Sequence, residues 1–170
     1  MLIDVSQIPP DGLDVTLPDA DLDLGTSMGV WAGPATVRAG LHIGRTGRGV
    51  LIQGSFAGGV TLLCGRCLEP FRFGAEDRFD VYCRSAAPPR EPETRELTED
   101  ELDVMYLEEG RIDTDALLRE NFLLSLPVQP LCHEDCQGLC PRCGADLNQG
   151  PCRCGGTQTD PRLQVLRKLL

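Results

Sequence analysis

The sequence predicts an α+β fold: an antiparallel β-meander or sheet packed on one main helix, closed by a Cys-rich, zinc-binding C-terminal tail. Three observations predict it. Apolar residues alternate with polar or small ones through three successive segments between residues 35 and 83, which is the period of half-buried strands. One later segment, near residues 115–126, carries an apolar face with helix signals at both ends. Eight of the nine cysteines fall in closely spaced pairs.

The elements follow in chain order. From Ala35 to Ile43, the residues Val37, Ala39, Leu41 and Ile43 share one face of a strand, and Gly44 to Gly49 form a turn. Val50, Ile52, Gly54, Phe56, Val60, Leu62 and Cys64 continue the alternation, with Gly58-Gly59 read as a bulge or bend. Phe71, Phe73, Ala75, Phe79, Val81 and Cys83 mark a third strand. Residues 84–101 hold Pro88, Pro89, Pro92 and many acids, and read as a solvated loop. Asp103 to Leu107 read as a short strand. Asp113 is the predicted helix N-cap, and Asp115 adds negative charge to the first turn. Leu117, Leu118, Phe122, Leu124 and Leu126 give the apolar face, ended by Pro127. Asp160-Pro161 start a short C-terminal helix. The expected division is an α+β sheet domain over residues 1–130, with its acidic loop at about 84–101, and a Cys-rich tail over 131–170.

Charge limits the partners. The chain has 170 residues with 26 acidic and 16 basic side chains, net −10. That balance argues against a dominant electrostatic grip on nucleic acid. The acids are unevenly spread: residues 1–28 carry six aspartates and no basic residue, and residues 91–131 carry twelve acids against three arginines. The cysteine-bearing stretches are the mildly basic ones. No apolar run approaches the roughly 20 residues of a membrane helix, and the N-terminal residues lack the pattern of a signal peptide. A cytoplasmic protein is expected, in which clustered cysteines are metal ligands more often than disulfides.

The cysteines are Cys64, Cys67, Cys83, Cys132, Cys136, Cys140, Cys143, Cys152 and Cys154. A C-x2-C turn presents two sulfurs to one ion, and a structural zinc site needs four such ligands in a tetrahedron. Gly65 and Gly144 are read as permitting the tight backbone of each knuckle. The most local set is Cys140, Cys143, Cys152 and Cys154. The remainder, Cys64, Cys67, Cys132 and Cys136, would tie the meander to the chain beyond the helix. Two other arrangements stay open: Cys132, Cys136, Cys140 and Cys143 together, or one occupied site in the tail. An iron–sulfur cluster lacks its bacterial spacing. A thioredoxin-like role for Cys64-Gly-Arg-Cys67 lacks the following helix. Cys83 lies on the apolar parity of its strand and reads as a core residue. His133, between two ligands, reads as a loop histidine, and His42 lies on the polar face of a strand with no partner in view.

These residues resemble a known family. Leu62-Leu-Cys-Gly-Arg-Cys-Leu-Glu-Pro-Phe71, Leu126-Pro-Val-Gln-Pro-Leu-Cys132 and Asp135-Cys-Gln-Gly-Leu-Cys-Pro-Arg-Cys-Gly-Ala-Asp-Leu-Asn148 are similar to the YceD family of bacterial proteins. The family is named for large ribosomal RNA subunit accumulation and has plastid relatives. The resemblance runs from about residue 35 to the C-terminus. It implies a part in building up large-subunit (23S) rRNA and in ribosome assembly, with rRNA, an assembly protein or large-subunit precursor particles as partner. Some members lack the tail cysteines, which implies that a tail metal is not essential to the shared role.

The residues themselves offer no enzyme. There is no phosphate loop, zincin motif or Gly-x-Ser-x-Gly. Four thiolates around a zinc leave no open position for water. The acidic pairs Asp100-Glu101 and Glu108-Glu109 read as solvated charge. Arg66, Arg72, Arg142 and Arg153, among or near the cysteines, are candidate phosphate contacts. The expected function is therefore a non-enzymatic zinc-binding factor for rRNA accumulation, without membrane or small-molecule substrate. The alternative is a thiol-redox or metal-responsive regulator using its C-x2-C pairs.

Overall fold

The computed structural model describes residues 1–25, 30–47, 49–84 and 104–154. The acidic loop predicted from residue 84 lies almost wholly outside the described residues, as do Asp100-Glu101 and the C-terminal helix expected after Asp160.

Three long strands form the predicted meander: β3 (Trp31–Thr46), β4 (Gly49–Leu63) and β5 (Pro70–Arg84). Two shorter ones precede it, β1 (Leu2–Asp4) and β2 (Leu13–Leu22). After it come β6 (Val104–Tyr106), β7 (Arg111–Asp113) and helix α1 (Thr114–Leu124). The main sheet has the order β2-β3-β4-β5-β6. Its pairs are antiparallel except β5 with β6. A separate two-stranded pair, β1 with β7, ties the start of the chain to the start of α1.

Alternation decides which face is covered. Val37, Ala39, Leu41 and Ile43 of β3 and Val50, Ile52, Phe56, Val60 and Leu62 of β4 are buried in one core. Leu117, Leu118 and Phe122 of α1 join that core, with the Phe122 ring 5.8 Å from Phe56. Asp113 caps the helix as expected: its carboxylate accepts from the N–H groups of Asp115 and Ala116. The apolar face ends differently from the expectation. Leu124 is 83% exposed, while Leu123 and Leu126 pack on the core. The last turn tightens, with Ser125 N donating to Phe122 O and Leu126 N to Leu123 O.

Two further corrections concern strands. β2 is unpredicted, though Leu13, Val15 and Leu17 alternate. Pro18 and Asp19 break the pattern at a one-residue bulge between Leu17 and Ala20, a defect an edge strand tolerates. The bulge expected at Gly58-Gly59 lies instead on β3, between Ala32 and Thr36, where Gly33 has a φ of +76°. β4 pairs with β5 without interruption through both glycines. They are small for close approach: a Cβ at Gly59 would lie 2.9 Å from the Phe73 carbonyl oxygen.

Candidate functional site

The turn between β4 and β5 carries Cys64 and Cys67. It docks on the chain leaving α1, where Gly65 N donates to Pro130 O at 2.7 Å. That contact brings Cys132 and Cys136 beside the turn. The sulfurs of Cys64, Cys67, Cys132 and Cys136 lie within 4.8 Å of one another, and so do those of Cys140, Cys143, Cys152 and Cys154. The partition of the eight cysteines is therefore the hairpin group and the local tail group. Cys83 belongs to neither; it is buried in the main core, and burial pushes its thiol up to about 11.

Each group could hold one metal ion, and the donor sets fit. A tetrahedron of thiolates at about 2.3 Å from a metal has edges of about 3.8 Å. In the hairpin group Cys64 and Cys136 sulfurs are 3.8 Å apart, and Cys67 and Cys132 sulfurs 3.7 Å. In the tail group Cys140 and Cys152 sulfurs are 3.4 Å apart. The environment favours one thiolate in each group and opposes another. At Cys64 burial resists ionisation, but the N–H groups of Cys67, Cys132 and Arg66 outweigh it and bring the thiol to about 6. At Cys140 the N–H groups of Arg142 and Cys143 do the same, to about 6. Cys132 is raised to about 12 by burial and then by the neighbouring sulfurs, Cys136 first. Cys154 is raised to about 12 by the Cys143 sulfur and then by burial. Four thiolates do not coexist there without a cation, which is the coupling of metal binding to thiol ionisation.

The two knuckles have one design. In Cys64-Gly-Arg-Cys67-Leu68, Leu68 N donates to Cys64 O; in Cys140-Pro-Arg-Cys143-Gly144, Gly144 N donates to Cys140 O, both at 2.9 Å. The left-handed residue is the one after the second cysteine: Leu68 at φ +63°, Gly144 at φ +71°. Gly65, expected to supply that freedom, does not adopt a positive φ. Leu68 carries the strain in its place, 62% exposed.

The groups differ in exposure. Cys64, Cys67 and Cys136 are buried, with Phe71, Leu131, Cys132 and Leu139 packed around them. In the tail, Cys140 is buried, Cys152 and Cys154 half-buried, and Cys143 exposed. They are also joined. Leu139 N donates to Arg66 O and Leu147 N to Gly138 O. Asn148, from the loop between Cys143 and Cys152, donates its amide to Cys136 Sγ at 3.4 Å and accepts from Gln137 N at 2.8 Å. Asp146 caps the short turn that holds Asn148. The N–H of Asn148 helps keep the Asp146 carboxyl below its usual range. Sequence reasoning missed Asn148; its signal is the Asp-x-Asn turn chemistry of Asp146-Leu147-Asn148.

The remaining candidates are placed as follows. His133 is exposed, with Nδ1 3.1 Å from Cys132 Sγ. His42 does have a partner, the Asp14 carboxylate of β2 at 2.7 Å; the unpredicted strand supplies it. Arg66 and Arg142 are exposed, and each donates to backbone carbonyls of the tail. Arg72 lies along Gly59, and Arg153 is exposed. Glu108 and Glu109 are exposed in a turn, with Glu109 3.5 Å from Arg111. No helix among the described residues is long and apolar enough to cross a membrane.

Comparison with known proteins adds the family. An uncharacterized protein of Mycobacterium tuberculosis is 32% identical over 130 residues, covering 76% of this chain and 60% of its own length. One of Mycobacterium leprae is 27% identical over 120 residues, covering 69% of this chain and 51% of its own. This chain thus spans 60% or less of the length of these curated relatives. The large ribosomal RNA subunit accumulation protein YCED homolog 1, chloroplastic, of Arabidopsis thaliana is 35% identical over 49 residues, 29% of this chain and 15% of that one. No solved structure matches. A family model described as large ribosomal RNA subunit accumulation protein YceD matches residues 52–170, and with that match over both cysteine groups the chain belongs to the YceD family.

Proposed function

We propose that this chain is a non-enzymatic, zinc-binding factor of the bacterial cytoplasm that supports accumulation of 23S rRNA during large-subunit assembly. The observation that carries the reading is the pair of all-cysteine groups, each with its four sulfurs within 4.8 Å of one another. Eight thiolates favour zinc over the harder cations, and four per ion leave no position for a reacting water. Zinc at Cys64, Cys67, Cys132 and Cys136 holds the β4–β5 turn against the tail, and zinc at Cys140, Cys143, Cys152 and Cys154 holds the tail's own loop. The rRNA role is supported by the family's description.

The partner favoured is a basic protein of the large-subunit precursor particle. The chain is net −10, and two of its four cysteine-proximal arginines are engaged internally, which weakens the case for a direct grip on phosphates. Deleting the gene should lower 23S rRNA relative to 16S, and the tagged protein should sediment with large-subunit precursors. Cross-linking there should capture protein. Capture of rRNA alone overturns the partner, and unchanged 23S levels overturn the function. Elemental analysis with native mass spectrometry should find two zinc ions per chain; none overturns the zinc reading.

The exposure of Cys143 favours one second reading, a tail group that responds to oxidants. Rapid alkylation of tail thiols in the metal-loaded protein supports it; alkylation only after chelation excludes it.

A further inference from the structure

We propose that Arg66 and Arg142 are the latches of the two metal groups: each guanidinium fastens its own knuckle to the opposite pair of cysteines and offsets the charge of the bound tetrathiolate. The inference rests on the metal reading above and deepens it.

Both arginines occupy the third position of a Cys-x-Arg-Cys knuckle. Each reaches across its group to a ligand residue that its own knuckle does not contain. Arg66 Nη1 donates to Cys136 O at 2.9 Å and to Glu134 O at 3.0 Å. Arg142 Nη1 donates to Cys154 O at 3.0 Å. The same move occurs twice, once beside the buried hairpin group and once beside the more exposed tail group, on two knuckles that share one backbone design. Solvation of a surface arginine does not account for that repetition.

The chemistry gives each latch two effects. Four thiolates around a divalent ion leave a net charge of −2. An arginine beside them stays protonated at any working pH and lowers the cost of that charge. Among the described residues neither guanidinium forms an ion pair with a carboxylate, and each is bonded to the backbone of a residue whose sulfur belongs to the group. In each group one bonded carbonyl belongs to a cysteine residue itself, Cys136 or Cys154, which restrains where its sulfur points. Partners of this kind outside the ligand shell typically change metal affinity about 10–100-fold. The hairpin group has the greater need, because its halves come from Cys64-Cys67 and Cys132-Cys136, far apart in the chain.

Release of zinc to a chromogenic chelator tests the proposal on the full chain. Cys67→Ser and Cys143→Ser assign the two kinetic phases to the hairpin and tail groups. Arg66→Met should speed the hairpin phase roughly tenfold or more and leave the tail phase unchanged. Arg142→Met should do the reverse. Arg66→Lys should fall between wild type and Arg66→Met, because it keeps the charge and loses the planar guanidinium's fixed donor geometry. A merely structural arginine would loosen both groups together, so equal acceleration of both phases overturns the latch. So does an unchanged hairpin phase in both Arg66 variants. If Arg66→Met does not fold, Arg66→Lys and Arg142→Met decide by the same criteria. A wild-type chain that binds no zinc defeats the metal reading itself. A zinc-loaded wild type with unaltered variants defeats only the latch.

Discussion

Gly138→Ala measures how tightly the tail is docked on the β4–β5 turn. Gly138 has a φ of +70°, and a methyl group there would lie 2.9 Å from the Arg66 carbonyl oxygen and 3.2 Å from Arg66 Cβ. Gly144 has nearly the same φ, +71°, with nothing within 4 Å. The pair is an internal control. Both alanines bear the left-handed backbone cost, about 1–2 kcal/mol. Only Gly138→Ala adds overlap with a packed neighbour, about 1–3 kcal/mol. That neighbour cannot easily retreat, because the Arg66 carbonyl also accepts from Leu139 N at 3.2 Å and the residue sits between Cys64 and Cys67. Gly138→Ala should therefore cost about 1–3 kcal/mol more than Gly144→Ala in urea unfolding of the zinc-loaded protein. It should also lose hairpin-group zinc first on titration with chelator. Equal costs for the two variants, or loss of tail-group zinc first in Gly138→Ala, would refute the docking argument.

Three other outcomes follow from single contacts. Phe122→Ala empties the centre of the helix–sheet interface, where the ring is fully buried; it should cost about 3–5 kcal/mol in a urea melt, and a cost near zero would contradict that packing. Asn148→Ala removes the amide that reaches Cys136 Sγ and should speed hairpin-group zinc release roughly tenfold; a change confined to the tail phase would contradict the link. Cys83 should resist iodoacetamide at pH 8 in the native protein and react once unfolded, as peptide mapping would reveal. Its folded thiol is held at about 11, above its ordinary 9.0. Its share of stability is therefore complete below pH 9 and is lost as pH rises through about 11. Cys83→Val should flatten the stability curve in that window.

The meander is legible because one face of each strand meets the core and the other meets solvent. Val50, Ile52, Phe56, Val60 and Leu62 are buried on one parity, and that pattern survives any uncertainty about partners. β2 carries the same code in Leu13, Val15 and Leu17, but Pro18 interrupts it before a strand's worth of residues accumulates. β1 and β7 span three residues each, too short for any period to register; long-range pairing makes them. The displaced bulge has a different cause. A glycine pair in a strand signals either a bulge or a close approach. Gly58-Gly59 is the second kind, and Gly33, with its positive φ, the first.

The candidate site divides along the same line between local and distant information. Spacing identifies the chelating pairs, because two cysteines separated by one to three residues must share a neighbourhood. Which pair meets which is a property of the fold: Cys64-Cys67 meets Cys132-Cys136 because the strand turn abuts Pro130 just before Cys132. Side-chain direction is the least legible feature. Arg66 and Arg142 carry the charge of phosphate contacts, yet both bond to backbone carbonyls of the tail. Nothing in their spacing reveals that, since either use needs an exposed, flexible cation beside a turn. The consequence reaches function. In a chain of net charge −10, two exposed arginines that spend donors on the protein's own carbonyls offer fewer of them to phosphates. That balance is the physical ground for the proposed preference for a basic protein over a polyanion.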